Sequence, residues 1–326
     1  MKAHTKLNKI ETLEFLRKYG TVLCALFIFV IFSLSADNFF TSGNLLMLLR
    51  QMSMLTIISI GFTFVMGAGG FDMSIGNAAG LINILFAITL ISTNSFWLAL
   101  LAALCCGVVI GLINGTLVAY IGLPDFIATF AVGSIIYGIK MLITKGNPIF
   151  FPDNVPNISI FIGQGYIGPI PFPVILMLIV VVIAVFVLNK TALGRRIYAI
   201  GGNPVASLYA GINVKKYRLI TFIICSMSVA IASVILTSRL GSAQPLAGED
   251  FLLDAIAVVF LSTTMFGDGE PTGSGTFVGA LIISMLSNGL TMLNVAYYFQ
   301  YITKGLVVIF AVVISVILCK NMKLKL

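Results

Sequence analysis

Along the chain, long apolar runs alternate with short polar or glycine-rich clusters. Taken in order, the runs predict helical spans at 21–35, 44–67, 74–93, 96–121, 126–144, 172–189, 218–238, 251–266, 274–291 and 298–319. Crossing a bilayer core takes roughly 20 apolar residues per helix. The tract from Met73 to Pro124 contains no Asp, Glu, Lys or Arg and is long enough for two crossings. The pattern predicts an all-α, polytopic membrane protein of about ten transmembrane helices, organised as one transmembrane domain over residues 1–326. A composition of 59% hydrophobic and 9% charged residues excludes a water-soluble globule, which could not cover itself with polar surface.

Charge adds an orientation. The formal net charge of +8 could suggest a nucleic-acid partner, but the basic residues sit where membrane topology places them. Lys2, Lys6, Lys9, Arg17 and Lys18 precede the first span. Lys190, Arg195, Arg196, Lys215, Lys216 and Arg218 share one central loop, and Lys320, Lys323 and Lys325 end the chain. All three regions are expected in the cytoplasm: a tail over 1–18, a loop over 190–217 and the C-terminus. Ten crossings agree with that assignment. The run Thr21–Leu34 followed by Ser35 and Ala36 imitates a secretory signal, yet a retained first helix is the simpler reading before so many further spans. The five cysteines show neither metal-ligand spacing nor a disulfide pattern and read as small core residues. No metal site is expected.

The longest segment between spans, Lys145 to Pro173, carries Pro148, Pro152, Pro156, Pro169, Pro171 and Pro173. These are expected to deny it a regular helix and leave an extracytoplasmic cap. Lys140 and Arg50 lie near predicted outer ends, where their stems can snorkel to the interface. Leu112-Ile113-Asn114-Gly115 in the fourth span is echoed five spans later by Leu286-Ser287-Asn288-Gly289. Two five-helix halves related as an inverted repeat would produce such an echo.

Three clusters interrupt the apolar pattern. In Gly67-Ala68-Gly69-Gly70-Phe71-Asp72-Met73-Ser74-Ile75-Gly76 the glycines relax the helix, and Asp72 and Ser74 are possible N-caps of the next span. A helix break beside a buried aspartate suits a substrate or gating pathway; a plain capping turn is the alternative. In Ser242-Ala243-Gln244-Pro245-Leu246-Ala247-Gly248-Glu249-Asp250, an extracytoplasmic turn leads into a helix with an acidic first turn. The dipole favours acids there, and Asp254 lies one turn deeper. Third, Asn203 can cap a short helix from Pro204 to Ala210, with Pro204 at its first position and Gly211 ending it. A topogenic loop needs no such helix, which suggests a docking element for a cytoplasmic partner.

Five motifs in order carry a resemblance: Asn38-Phe39-Phe40-Thr41, Gly70-Phe71-Asp72-Met73-Ser74-Ile75-Gly76, Leu193-Gly194-Arg195-Arg196-Ile197-Tyr198-Ala199-Ile200-Gly201-Gly202-Asn203, Ser242-Ala243-Gln244-Pro245 and Leu253-Asp254-Ala255-Ile256-Ala257. With them the chain resembles, over nearly its whole length, the permeases of ribose-, xylose- and arabinose-type ABC sugar importers. The resemblance implies a homodimeric permease in the bacterial inner membrane, a cytoplasmic double-cassette ATPase and an extracytoplasmic sugar-binding protein. It also implies that the helix after Asn203 is the coupling helix, placing Arg195, Arg196, Gly202, Asn203, Pro204, Ala206 and Gly211 at the ATPase. Lys304, in the last span, matches a lysine associated with these permeases, although snorkelling also accounts for it. The chain departs from them after Ala257. Ser262-Thr263-Thr264 stands where these permeases have small glycines, and this is expected to loosen helix packing while adding hydroxyls.

The chain has no Gly-x-x-x-x-Gly-Lys-Ser/Thr loop, so ATP is expected on a separate subunit, with no cofactor and no catalytic residue here. An intramembrane aspartyl protease could recruit Asp72 and Asp254, but the order of Gly267-Asp268-Gly269-Glu270 is wrong for its signature. An ion-coupled secondary transporter of a small polar solute is the alternative that broken helices and inverted repeats also allow. For a sugar path, Gln51, Asn83, Asn114 and Asn288 join Asp72, Asp254 and Lys304 as candidate lining groups. The amides can equally make interhelical hydrogen bonds. Nothing in the sequence names the sugar.

Overall fold

The computed structural model describes residues 22–264 and 269–323. The basic tail 1–18, Met265 to Asp268 and Lys325 lie outside them. Helices dominate: α1 (Val22–Ser35), α2 (Ser42–Gly67), α3 (Ile75–Thr93), α4 (Phe96–Thr116) prolonged by a π-helical turn (Leu117–Ile121), and α5 (Asp125–Thr144). After β1 (Ile149–Phe150), α6 (Asn157–Gln164), β2 (Tyr166–Ile167) and β3 (Ile170–Pro171) come α7 (Phe172–Lys190), α8 (Ala192–Gly202), α9 (Pro204–Tyr209) and α10 (Val214–Leu240). The chain continues through β4 (Ser242–Ala243), α11 (Asp250–Thr263), α12 (Gly273–Met292) and α13 (Tyr297–Lys323). Strands are two residues long: β1 pairs antiparallel with β4, placing Ile149 opposite Ala243, and β2 pairs with β3.

Among the described residues seven helices are long and apolar enough to cross a membrane: α2, α3, α4 with its π turn, α5, α7, α10 and α12. The protein is thus an all-α polytopic membrane protein. The remaining expected spans also fall on helices, on α1, the 14-residue α11 and the 27-residue α13. At 1.5 Å per residue α11 is about 21 Å long, short of a full hydrocarbon core.

The described residues divide into two compact units, one within Leu49–Ala255 and one drawn from the stretches before Leu49 and after Ala255. In the central unit α10 packs against α4 through a glycine stripe. A Cβ on Gly107 would lie 2.8 Å from Ser226 O, one on Gly111 2.7 Å from Ile223 Cα, and one on Gly115 2.5 Å from Leu219 Cδ1. Lipid offers no hydrophobic drive for helices to associate, so close backbone approach at small residues supplies the attraction. In the other unit Phe32, Phe39, Leu48, Ile282 and Met285 form the core. Asn44 and Asn288 exchange amide hydrogen bonds at 3.0 and 3.1 Å.

Three expectations are corrected by the fold. The proline-rich segment does contain a regular helix: Pro156 stands before its first residue at φ −55°, where a missing N–H costs nothing, and no proline follows until Pro169. Gly163 lets this helix rest on the end of α10, where a Cβ would stand 2.1 Å from Arg239 N. The central basic loop begins with a second helix, α8, capped by Thr191, whose hydroxyl accepts from Gly194 N. Its buried residues Gly194, Ile197 and Ile200 recur every three positions, while Arg195 and Arg196 are exposed. Finally, Ser262 does not loosen packing. Its hydroxyl donates to Thr272 O and accepts from Thr272 N, both at 2.9 Å, and a Cβ on Gly275 would lie 2.5 Å from it. Thr263 and Thr264 donate their hydroxyls to carbonyls three residues back.

Candidate functional site

The break between α2 and α3 is built from the backbone outward. Asp72 Oδ1 accepts from Ser74 N at 2.8 Å and from Ser74 Oγ at 2.6 Å, an Asx turn that holds the chain open before α3. Ser74 therefore gives its hydroxyl to Asp72 and makes no side-chain cap bond. Asn114, on α4, donates to Ser74 Oγ at 2.8 Å and to Asp72 Oδ1 at 3.4 Å. Asp72, Ser74 and Asn114 are all buried. Burial holds the Asp72 carboxyl above the usual carboxylate range, against the opposing pull of the Ser74 and Asn114 donors.

Around this turn lie residues the sequence reading did not single out for it. Met73 N donates to Thr129 Oγ1 at 2.9 Å and Phe71 N to Asp125 Oδ2 at 3.2 Å. Asp125 opens α5, where the helix dipole favours an acid, and pairs with Arg218 at 3.2 Å. Arg218 also donates to Gly69 O. The turn is thereby tied to the first turns of α5 and α10. A Cβ on Gly67 would lie 3.3 Å from Ile197, and Gly201 abuts Gly67 O, so α8 packs on the same turn. An acid directly after Pro124, closing a charge-free tract, was the available signal for Asp125.

Beyond α8 the predicted short helix is present as α9. Asn203 accepts from Ala206 N at 2.9 Å, Pro204 occupies the first position, and Gly211 follows at φ +80° with its N–H on Leu208 O. Ser207 faces inward, whereas Val205 and Leu208 are 62% exposed and Tyr209 88%. Arg195, Arg196, Gly202, Asn203, Pro204, Ala206 and Gly211 are exposed as well. Arg196 donates to the Tyr217 hydroxyl and lies over its ring. Beside α9 a cavity of about 700 Å³ is lined by Pro204, Val205, Leu208, Gly211, Val118 and Arg218, among others. This end of the unit offers an apolar, partly concave surface flanked by cations.

The segment after α10 lies against α3. Ala243 packs with Ile84 and Ala87, Asn83 Nδ2 donates to Gln244 O at 3.0 Å, and Cβ atoms on Gly80 and Gly76 would strike Pro245 O and Gly248 O at 2.5 and 3.0 Å. Residues 242–249 therefore run antiparallel along α3 from Ala87 to Gly76, twelve of its residues and about 16 Å. Asp254 is half-buried in the helix that follows.

Of the candidate lining groups, the structure brings Asp72 and Asn114 together. Asn83 lies two turns further along α3, and Gln51 is half-buried in α2. Asn288 and Lys304 belong to the other unit, with Asn288 bonded to Asn44 and Lys304 half-buried in α13. Asn83, Asn114 and Asn288 all spend an amide on hydrogen bonds between elements.

Residues 44–312 match the family described as branched-chain amino acid transport system / permease component. The chain is 38% identical to the ribose import permease protein RbsC of Haemophilus influenzae, over 92% of this chain and 93% of the relative. It is 38% identical to RbsC of Bacillus subtilis over 95% and 96%, and 36% identical to the D-allose transport system permease protein AlsC of Escherichia coli over 93% of each. No solved structure matches it. Full-length similarity, a capped helix on an exposed basic face and seven apolar helices agree, and the chain belongs to this family of transport-system permeases.

Proposed function

We propose that this chain is the membrane-spanning subunit of an ATP-driven, binding-protein-dependent importer of a monosaccharide such as ribose or allose. The observation that carries the sugar reading is the 36–38% identity, over more than nine-tenths of each chain, to relatives named for ribose and allose. It outweighs the amino acid wording of the broader family description. In this reading residues 1–326 form one permease domain of ten crossings in two related halves, with both termini and the α8–α9 segment in the cytoplasm of a bacterial inner-membrane protein.

Two copies of the chain enclose the path. A double-cassette ATPase seats α9, and a sugar-binding protein docks at the opposite face. The exposed Val205, Leu208 and Tyr209 suit an apolar socket, and Arg195 and Arg196 suit its acidic rim. Closure of the ATPase reaches the membrane through α8, which rests on the Gly67–Ser74 turn and so on the Asp72–Asn114 network. Gln51, Asn83, Asp254, Asn288 and Lys304 are the further polar groups assigned to the path. ATP binds the partner, and this chain needs no cofactor.

The test is reconstitution. Vesicles containing the chain, its cassette ATPase and its binding protein are expected to accumulate labelled ribose or allose only when ATP is supplied. Uphill uptake by the chain alone, driven by a proton or sodium gradient, would overturn the proposal in favour of an ion-coupled secondary transporter.

A further inference from the structure

Lys140, four turns into α5, has no exposed surface. A lysine ammonium is strongly hydrated, so burying it is costly unless it is paired. Snorkelling, the expectation from sequence, does not describe it: Nζ points inward and meets Glu249 Oε1 at 3.1 Å, 5.0 Å from the centre of the Tyr137 ring. Space for the stem comes from α3, where a Cβ on Gly80 would stand 3.0 Å from Lys140 Cδ and 3.2 Å from Nζ. The side chain thus passes between α3 and the inserted segment 242–249 to reach a carboxylate at the segment's far end.

The near half of that segment is held by the β1–β4 ladder, by Phe151 N on Gly241 O, and by the Asn83 amide on Gln244 O. Its far half carries two fastenings of another kind. Gly248 lies so close to α3 that a Cβ would stand 2.5 Å from Gly76 O, and Glu249 is clasped by Lys140. Glu249 is 44% exposed, so its carboxylate can take water in place of the lysine when the segment lifts.

We infer that Lys140 and Glu249 form a latch that holds the far half of the inserted segment, and with it the first turn of α11, against α3 and α5, and that both are positioning residues for transport. Their part in transport rests on the permease reading; the latch itself does not.

The experiment uses the full chain with Cys24, Cys105, Cys106, Cys225 and Cys319 replaced by Ala and the half-buried Ala247→Cys as reporter. Labelling by a water-soluble maleimide is followed in detergent, then uptake in vesicles with the ATPase and binding protein. Lys140→Met keeps the buried volume, and the carboxylate it leaves behind, on the 44% exposed Glu249, can be hydrated rather than stranded. A melting curve checks that the variant folds. Labelling of the reporter thiol is expected to quicken about tenfold, as loss of a close charge pair with one buried partner implies, and uptake to fall. The swap Lys140→Glu with Glu249→Lys is expected to restore both. Unchanged labelling in Lys140→Met, or a folded swap as reactive as Lys140→Met, overturns the latch, and uptake by Lys140→Met at the parent rate overturns its part in transport. Labelling needs no sugar, partner or ATP. A chain that labels as expected but never carries sugar counts against the permease reading instead.

Discussion

Damage to α9 is expected to separate ATPase docking from membrane folding, because this six-residue helix, with only Ser207 buried, depends on its capped ends. At the front, Asn203 Oδ1 accepts from Ala206 N at 2.9 Å. At the back, Gly211 sits at φ +80° while Ile212 N returns to Ser207 O at 3.0 Å. Asn203→Ala removes the cap at about 1 kcal/mol, a roughly fivefold fall in the population of formed helix. Gly211→Val forces a β-branched residue into left-handed backbone, at a further 1 to 2 kcal/mol or so. So short a helix has no cooperative reserve against losses of this size.

Ala206→Asp probes something different. Ala206 is exposed and lies in the first turn of α9, where an acid suits the dipole. The free chain is therefore expected to keep the helix, and the carboxylate to become costly only when a partner covers it. The assay is ATPase co-purification in detergent, paired with ATP-dependent uptake in vesicles and a melting curve of the chain alone. All three variants are expected to express and melt like the parent. Ala206→Asp is expected to lose the ATPase most completely and Asn203→Ala least. If all three keep the ATPase and transport at the parent rate, α9 is not the coupling element.

Two further outcomes test other parts of the account. Gly111→Leu is expected to lower the melting temperature, since even a Cβ would stand 2.7 Å from the Ile223 backbone and overpacking costs about 1 to 3 kcal/mol. Gly138→Leu on α5, where nothing lies within 4 Å, is the matched control and is expected to melt unchanged. Reporter fusions at Asn203 and the C-terminus are expected to read cytoplasmic and one at Pro156 extracytoplasmic; a periplasmic signal at Asn203 would refute the proposed orientation.

The sequence by itself determined where the long apolar helices run and where α9 begins and ends, because what makes them is local. Apolar runs, the Asn203 cap, Pro204 and Gly211 act over a few residues, so α9 was legible to within one residue. The same locality explains α6 and α8, which the pattern does not predict: the six prolines of 145–173 leave 157–164 free of any, and the apolar spacing of Ile197 and Ile200 runs beneath two adjacent arginines. What only the tertiary structure decided is which polar groups meet. Lys140 finds Glu249 across 109 residues, Asp125 finds Arg218 across 93, and Asn44 finds Asn288 across 244. A buried charge or amide in an apolar setting must be satisfied by whatever the packing of distant helices brings to it. Local spacing carries no record of that partner, so Lys140 read from sequence as a snorkelling cation when the fold had turned it inward.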